Sequence, residues 1–190
     1  TPMPSLQEIG VSIYGAWRLA LLDRSGMNWF NHSIEGFWRS FFVALLIAPL
    51  AALLVGFQLI NTEEGSYTAR LVAVEVSVYA LGWIVYPVAT LFVCRLMALT
   101  DHYVSYIIAY NWSHAIPAVV AAPIVLSVLM GLLPLGLAES ILLIVTIAVL
   151  TYRWFIARVA LGADGLTAAA LVALELILQL LVYALAARIL

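Results

Sequence analysis

The chain has 190 residues, of which 66% are hydrophobic and only 9% are charged, and its formal net charge is −2. Because a soluble domain carries about 25% charged residues, this composition excludes an ordinary soluble protein. The sequence contains no basic tract, so nucleic-acid binding has no basis in it. Its length accommodates about five membrane-spanning helices of roughly 20 apolar residues each. We therefore predict an all-α polytopic membrane protein whose surroundings are the lipid bilayer.

The residues that commonly hold metals and cofactors are sparse. The single cysteine, Cys94, excludes an intrachain disulfide and a cysteine-rich metal site. His32 and His102 are predicted near the surface, which leaves His114 without a second axial ligand for a haem. The motifs of zinc hydrolases, serine hydrolases and nucleotide-binding proteins do not occur. We predict no metal, no cofactor and no enzymatic activity.

Residues 1–32 form the first predicted unit, an N-terminal amphipathic segment. Apolar side chains such as Leu6, Ile9, Ile13 and Trp17 recur at helical spacing between Pro4 and Leu22. Such a helix is expected to lie in the headgroup region of a membrane rather than to span it. The alternative is an ordinary helix that packs on a partner or on the chain's own loops.

The second unit, residues 33–190, holds five predicted spans, the first from about Phe37 to Ile60. Ser33 is placed to cap this helix, and Glu35 complements its positive N-terminal end. Small side chains recur at every fourth residue on one face, a pattern that favours close helix contact. They are Ala44, Ala48, Ala52 and Gly56.

The second span is predicted from about Thr68 to Met97, with polar side chains on one face that include Glu75, Tyr79 and Tyr86. The stretch from Asp101 to Leu133 is too long for one simple span, since it would reach nearly 50 Å as a helix against a membrane core of about 30 Å. Either it tilts and kinks at its prolines, or residues 101–113 lie near the membrane surface.

The fourth span is predicted from about Ala138 to Phe155, and the segment Tyr152–Arg158 resembles an interfacial anchor. The fifth span is predicted from about Leu166 to Ala187. It carries a second stripe of small side chains and, on another face, two polar side chains. The small residues are Gly165, Ala169 and Ala173, and the polar ones are Glu175 and Gln179.

The arginines predict the orientation of the chain. With five spans, six of them lie on the side of the N-terminus: Arg18, Arg24, Arg39, Arg95, Arg153 and Arg158. Arg70 and Arg188 lie on the other side. By the positive-inside rule the N-terminus is cytoplasmic and the C-terminus is outside. All eight basic residues are arginine, which is typical of a GC-rich bacterial genome and predicts the bacterial inner membrane.

Glu175 is the residue most difficult to explain in a span. It lies near the predicted midplane, where a bare carboxylate costs about 2.5–3.5 kcal/mol or more. It therefore predicts a polar membrane interior, formed by Glu75, Tyr79, Tyr86, Asn111, His114, Glu175 and Gln179. Such an interior is either a proton or cation relay or small-substrate site, or a structural hydrogen-bond network that joins helices.

Two segments carry a resemblance to a known family. The start of the first span, Glu35–Phe41, and the central Ala109–Trp112 are similar to those of uncharacterised bacterial members of the Yip1-type membrane proteins. The resemblance covers most of the chain as topology, with a cytoplasmic N-terminal segment and five spans. It supplies no catalytic residues.

The small-residue stripes and the N-terminal segment favour a non-enzymatic function as a helix-packing subunit, scaffold or assembly partner, in contact with another membrane protein or with a second copy of the chain. The alternative is a small proton- or cation-coupled transporter or channel, whose polar interior lies around Glu175, Glu75 and His114.

Overall fold

The computed structural model of the chain describes residues 3–60 and 65–188, and for residues 57–60 and 65–68 it describes the backbone alone. Within these ranges five helical segments are long and apolar enough to cross a membrane. They are Ile34–Gly56, Ala69–Leu96, Thr100–Leu129, Leu135–Ala160 and Gly165–Ala187. These segments confirm the predicted all-α architecture with five spans, which is that of an integral membrane protein.

The spans are built from shorter helices in some places. In chain order the helices are α1 (Leu6–Ala20), α2 (Ile34–Ser40), α3 (Phe42–Ile60), α4 (Gly65–Leu96), α5 (Thr100–Ser113), α6 (Ala115–Leu129), α7 (Leu135–Ala160) and α8 (Gly165–Ala187). A 3₁₀ helix, Arg24–Trp29, lies between α1 and α2. The first span thus consists of α2 and α3, and the third consists of α5 and α6.

The helix ends follow the capping signals of the sequence. The Ser33 hydroxyl accepts a hydrogen bond from the Gly36 amide, which confirms Ser33 as the cap of α2. Asp164 caps α8 by accepting hydrogen bonds from the amides of Leu166 and Thr167. The hydrogen bonds from Thr167 hold the pKa of the Asp164 carboxyl below its ordinary value. The residue that precedes α5, Leu99, makes no side-chain capping bond.

We call α1, the 3₁₀ helix and α2 the N-terminal layer. The backbones of α1 and the 3₁₀ helix approach closely at Gly15 and Gly26, where a Cβ on Gly26 would lie 2.6 Å from the Gly15 carbonyl oxygen. Arg39 of α2 forms ion pairs with Glu8 of α1 at 2.7 Å and with Glu35 at 2.6 Å. The layer is therefore held together by both close packing and charge.

The N-terminal layer packs on the chain's own helices, because α1 contacts α5, α6 and α7. Its buried side includes Ser12, Ala16 and Leu19, and the Tyr152 hydroxyl of α7 donates a hydrogen bond of 2.6 Å to the Ala16 carbonyl oxygen. Trp17 lies on the exposed side. The α1 helix thus has a protein-facing side, and the placement of its other side among lipid headgroups stays a prediction.

The five spans form a ring. Helix α3 contacts α4, α4 contacts α8, α8 contacts α7, α7 contacts α6, and α6 closes the ring on α3. Helix α5 contacts α1, α2, α4 and α7 and fills the half of the ring that adjoins the N-terminal layer. All residues from Tyr106 to Ser113 are buried. The part of α5 from Tyr106 to Ser113 is therefore internal to the protein, whereas Asp101 and His102 at its start are exposed.

The structure alters, in one respect, the arginine distribution from which the orientation of the chain is predicted. Arg153 is buried inside the protein and leaves the count that orients the chain. Five arginines still belong to the end of the bundle next to the N-terminal layer: Arg18, Arg24, Arg39, Arg95 and Arg158. The positive-inside rule then still predicts a cytoplasmic N-terminus.

The packing of α5 against the N-terminal layer can be tested at a buried hydrogen bond between α2 and α5. The Asn111 amide donates to the Ser40 hydroxyl at 2.8 Å, and that hydroxyl donates to the Phe37 carbonyl oxygen at 2.7 Å. We expect Ser40→Ala to lower the free energy of unfolding by about 1–3 kcal/mol, because the buried Asn111 amide loses its acceptor. Denaturant titration of the protein in detergent measures this loss.

The matched control is Ser140→Ala, because the Ser140 hydroxyl lies exposed on α7 and bonds to the Gly136 carbonyl oxygen of its own helix. We expect this variant to unfold like the unmodified protein. Equal stability of the two serine variants would contradict the predicted role of the Ser40–Asn111 bond.

Candidate functional site

A cavity of about 1050 Å³ lies inside the ring of spans, between α3, α4, α6 and α8. Its walls are mainly apolar. At the end that adjoins α5, polar and charged side chains line it, and we call this group the cavity floor. The floor consists of Tyr86, Tyr110, His114, Arg153 and Glu175. From there the cavity extends past Gln179 and Tyr183 toward the end of the bundle where α8 ends.

A buried ion pair forms the centre of the floor. Arg153 of α7 and Glu175 of α8 are 5% and 6% exposed, and Nε of the arginine lies 3.8 Å from Oε1 of the glutamate. The Tyr110 hydroxyl donates a hydrogen bond of 2.8 Å to the same oxygen. Glu175 lies ten residues into α8, about 15 Å along its axis and therefore near the midplane of a membrane core of about 30 Å.

The arginine has three further contacts with α5. Its Nη1 donates to the Ser113 hydroxyl at 2.7 Å and to the Tyr110 carbonyl oxygen at 3.1 Å. Its guanidinium also lies 4.4 Å from the centre of the Tyr110 ring, a cation–π geometry. Nε has no hydrogen-bond partner among the described residues. The guanidinium is thus held by α5 while its charge faces Glu175.

The position of Arg153 differs from the prediction, which placed this residue in an interfacial anchor. The predicted span ended at Phe155, but α7 continues to Ala160, so that Arg153 lies about two turns inside the helix. Gly162 adopts a positive φ of +67° just after the helix, the conformation with which helices commonly end. That glycine was the signal in the sequence for the later helix end and hence for a buried Arg153.

The third span breaks at the cavity floor. His114 separates α5 from α6, and its Nδ1 lies 3.0 Å from the Tyr110 carbonyl oxygen. Because a carbonyl only accepts, Nδ1 carries the proton and donates this hydrogen bond. Pro117 follows within the first turn of α6 and has no amide hydrogen to continue the helical ladder. The imidazole lines the cavity at this break and is held there by its hydrogen bond to the preceding turn.

Between the cavity floor and the N-terminal layer, packed side chains close the cavity. The hydroxyls of Tyr86 and Tyr106 lie 2.5 Å apart in a buried hydrogen bond between α4 and α5. The Tyr103 hydroxyl donates to the Pro87 carbonyl oxygen at 2.9 Å, one turn farther from the cavity. Ile107 and Ile108 are completely buried beside them. The cavity is therefore separated from the N-terminal layer by a filled core.

The structure brings together all but one of the residues of the predicted polar interior. The cavity is lined by Glu75, Tyr79, Tyr86, His114, Glu175 and Gln179. Asn111 is the exception, because it lies on the side of α5 that faces α2 and bonds to Ser40. Tyr110 and Trp83 line the cavity as well, although the sequence analysis did not include them in the polar interior.

The two small-residue stripes have different surroundings. Ala48, Ala52 and Gly56 line the cavity, where their small side chains leave room between α3 and α4. The carbonyl oxygen of Ala44 accepts a hydrogen bond of 2.5 Å from the Tyr79 hydroxyl, a direct contact between these two helices.

On α8, the Gly165 carbonyl oxygen accepts a hydrogen bond of 3.0 Å from the Trp154 indole. Ala169 and Ala173 lie exposed on the outside of the bundle. The α3 stripe thus faces inward, and the last two residues of the α8 stripe face outward.

Comparison with known proteins adds no relative: the chain matches no protein-family model, no curated protein and no solved structure. Its function therefore has to be inferred from the geometry of the cavity.

The energetic importance of the ion pair can be tested by removing one partner. We expect Glu175→Gln to lower the free energy of unfolding in detergent by on the order of 3–5 kcal/mol, because the buried Arg153 guanidinium loses its counter-charge. Replacing both residues by methionine should restore most of this loss, since no buried charge is then left unpaired. Denaturant titration of the two variants measures both effects.

Glu139→Gln is the control, because Glu139 is exposed on α7. A loss of stability as large in this variant as in Glu175→Gln would show that the effect does not arise from the buried pair. A double replacement less stable than Glu175→Gln would contradict the predicted compensation.

Proposed function

We propose that the protein is a non-enzymatic membrane carrier, which binds a ligand in the central cavity and exposes the cavity to the two sides of the membrane in turn. The observation that carries the proposal is the position of the cavity floor, where the buried Arg153–Glu175 pair adjoins the break of the third span at His114. Transport proteins commonly place their substrate sites near the midplane, beside discontinuous helices.

The floor also supplies a coupling between helices. Glu175 of α8, Arg153 of α7 and Tyr110 of α5 are joined by one ion pair and two hydrogen bonds. A proton or a ligand that changes the charge at Glu175 alters the contacts of three spans at once. Such a differential contact is the physical requirement for a ligand to shift a protein between two conformations.

The closed core favours a carrier over a channel. A channel needs a continuous path, whereas here the filled packing around Tyr106 separates the cavity from the N-terminal layer. Access from that side requires α5 to move relative to α4. The two helices are joined there by single side-chain hydrogen bonds from Tyr103 and Tyr106, so a limited displacement would open a path.

The carrier proposal predicts that a residue of the cavity reacts from both sides of the membrane. We expect a cysteine at position 178, where Leu178 lines the cavity, to be labelled by a membrane-impermeant thiosulfonate in right-side-out and in inverted vesicles. The background is Cys94→Ala, which removes the buried native thiol. Mass spectrometry of the labelled protein measures the reacted fraction.

Thr100→Cys and Leu132→Cys are the matched controls, because these exposed positions belong to opposite ends of the bundle. Each should react in only one kind of vesicle. A cysteine at position 178 that reacts from one side only would contradict alternating access and favour a static pocket.

A second candidate function is that of a helix-packing subunit or assembly partner, as the sequence predicts. It is favoured by the outward-facing Ala169 and Ala173 of α8, whose small side chains permit close approach of another helix. Exposed aromatic side chains of the N-terminal layer, such as Trp17 and Trp29, could add to that surface. The bacterial inner membrane and the Yip1-type resemblance stay predictions of the sequence and contribute no residue to either proposal.

The assembly proposal predicts a stoichiometric partner. After purification from the native membrane in mild detergent, we expect mass analysis of the particle to give this chain with a second membrane protein in fixed ratio. Ala169→Leu and Ala173→Leu should release that partner, because larger side chains separate the helices. Recovery of the chain alone would contradict the assembly proposal and leave the carrier proposal as the better account.

A further inference from the structure

We propose that the ligand of the central cavity is a hydrophobic organic cation. This inference rests on the carrier proposal, and it adds the chemical class of the substrate. Three features of the cavity carry it: a continuous wall of aromatic rings, an excess of carboxylates among the charged side chains, and an apolar volume large enough for an organic molecule.

The aromatic wall connects α4 with the broken third span. Ring centres lie 6.2 Å apart for Tyr79 and Trp83, 4.7 Å for Trp83 and His114, 4.8 Å for His114 and Tyr110, and 4.5 Å for Tyr110 and Tyr86. All five rings line the cavity. The faces of such rings attract cations within about 6 Å of their centres. The guanidinium of Arg153 on Tyr110 is an example within this wall.

The charges that line the cavity favour a positive ligand. Among the described residues they are two carboxylates, Glu75 and Glu175, and one guanidinium, Arg153. Glu175 offsets the charge of Arg153, and Ser113 and the Tyr110 carbonyl oxygen occupy Nη1, so Glu75 remains as the excess charge of the described lining.

Glu75 has no hydrogen-bond or ion-pair partner among the described residues. It is half-buried on the cavity wall and lies one helical turn from Tyr79 and two from Trp83, on the same face of α4. An unpaired carboxylate beside aromatic faces is the chemistry that recognises an organic ammonium or phosphonium group.

The size and polarity of the cavity argue against a metal ion. Its volume of about 1050 Å³ is slightly above the range of about 300–1,000 Å³ typical of sites for organic ligands. Hard metal cations require several oxygen ligands, and the described residues contain no group of three His, Cys, Asp or Glu side chains that could hold one. The apolar wall around Ala48 and Ala52 instead suits the carbon skeleton of an organic ion.

Two ions of the same shape and opposite charge test the inference. We expect tetraphenylphosphonium to bind saturably to the full chain in detergent, and tetraphenylborate to bind much more weakly, in equilibrium dialysis against protein-free micelles. Glu75→Gln should weaken tetraphenylphosphonium binding on the order of tenfold by removal of the unpaired charge. Trp83→Leu should weaken it on the order of tenfold by removal of an aromatic face, and Trp83→Phe should restore part of the loss.

Glu139→Gln controls for loss of a carboxylate outside the cavity, and Ala52→Trp fills the cavity and should abolish binding. Thermal unfolding in detergent confirms that each variant is folded. Cation binding that is unaffected by Glu75→Gln and Ala52→Trp would overturn the inference, because the ion then binds elsewhere. Saturable binding of neither ion would also overturn it.

The preference for cations and the carrier proposal can be contradicted independently of each other. Equal or stronger binding of tetraphenylborate, lost on Ala52→Trp, would overturn the preference for cations and leave a ligand-binding cavity. Labelling of position 178 from one side only would contradict the carrier, whatever ion the cavity binds.

Discussion

A guanidinium and a carboxylate that meet in the interior of the helix bundle constrain the rest of this structure. Neither Arg153 nor Glu175 can be left without a partner there, because an isolated charge in a medium of low polarity costs several kcal/mol. The pair therefore fixes the rotation of α7 and α8 about their axes. It also requires α5 to present Tyr110 and Ser113, which supply the hydrogen bonds that the two charges lack.

The internal position of α5 follows from this requirement. A helix that carries Tyr106, Tyr110, Asn111 and Ser113 cannot face lipid, which offers no hydrogen bonds. The N-terminal layer covers it from one end, α4 and α7 cover its sides, and its polar groups find partners on α2, α4, α7 and α8. Because α5 occupies only half the length of the third span, the other half of the ring is left with a cavity. The cavity is thus a consequence of where the polar helix ends.

Sequence reasoning recovered the five spans because each depends on a long apolar segment, a property local to the chain. The cap at Ser33 is local too. It misplaced Arg153, since the end of α7 was set at Phe155 although the helix continues to Ala160.

Sequence reasoning could not choose the face of α5 that meets the cavity. Tyr110 and Asn111 are adjacent in the chain, yet one contacts Glu175 and the other contacts Ser40. That assignment depends on which helices surround α5, and no local pattern contains this information.

The order of the two charges along the chain has a consequence for biogenesis. Arg153 leaves the ribosome before Glu175, so the fourth span emerges while its counter-charge is still inside the ribosome. During this interval a guanidinium on a single helix has no ion-pair partner and is costly to release into lipid. The fourth span should therefore be retained beside the insertion machinery, or against the earlier helices, until the fifth arrives. The last two spans would then enter the bilayer together, as a helical hairpin whose charges are already paired.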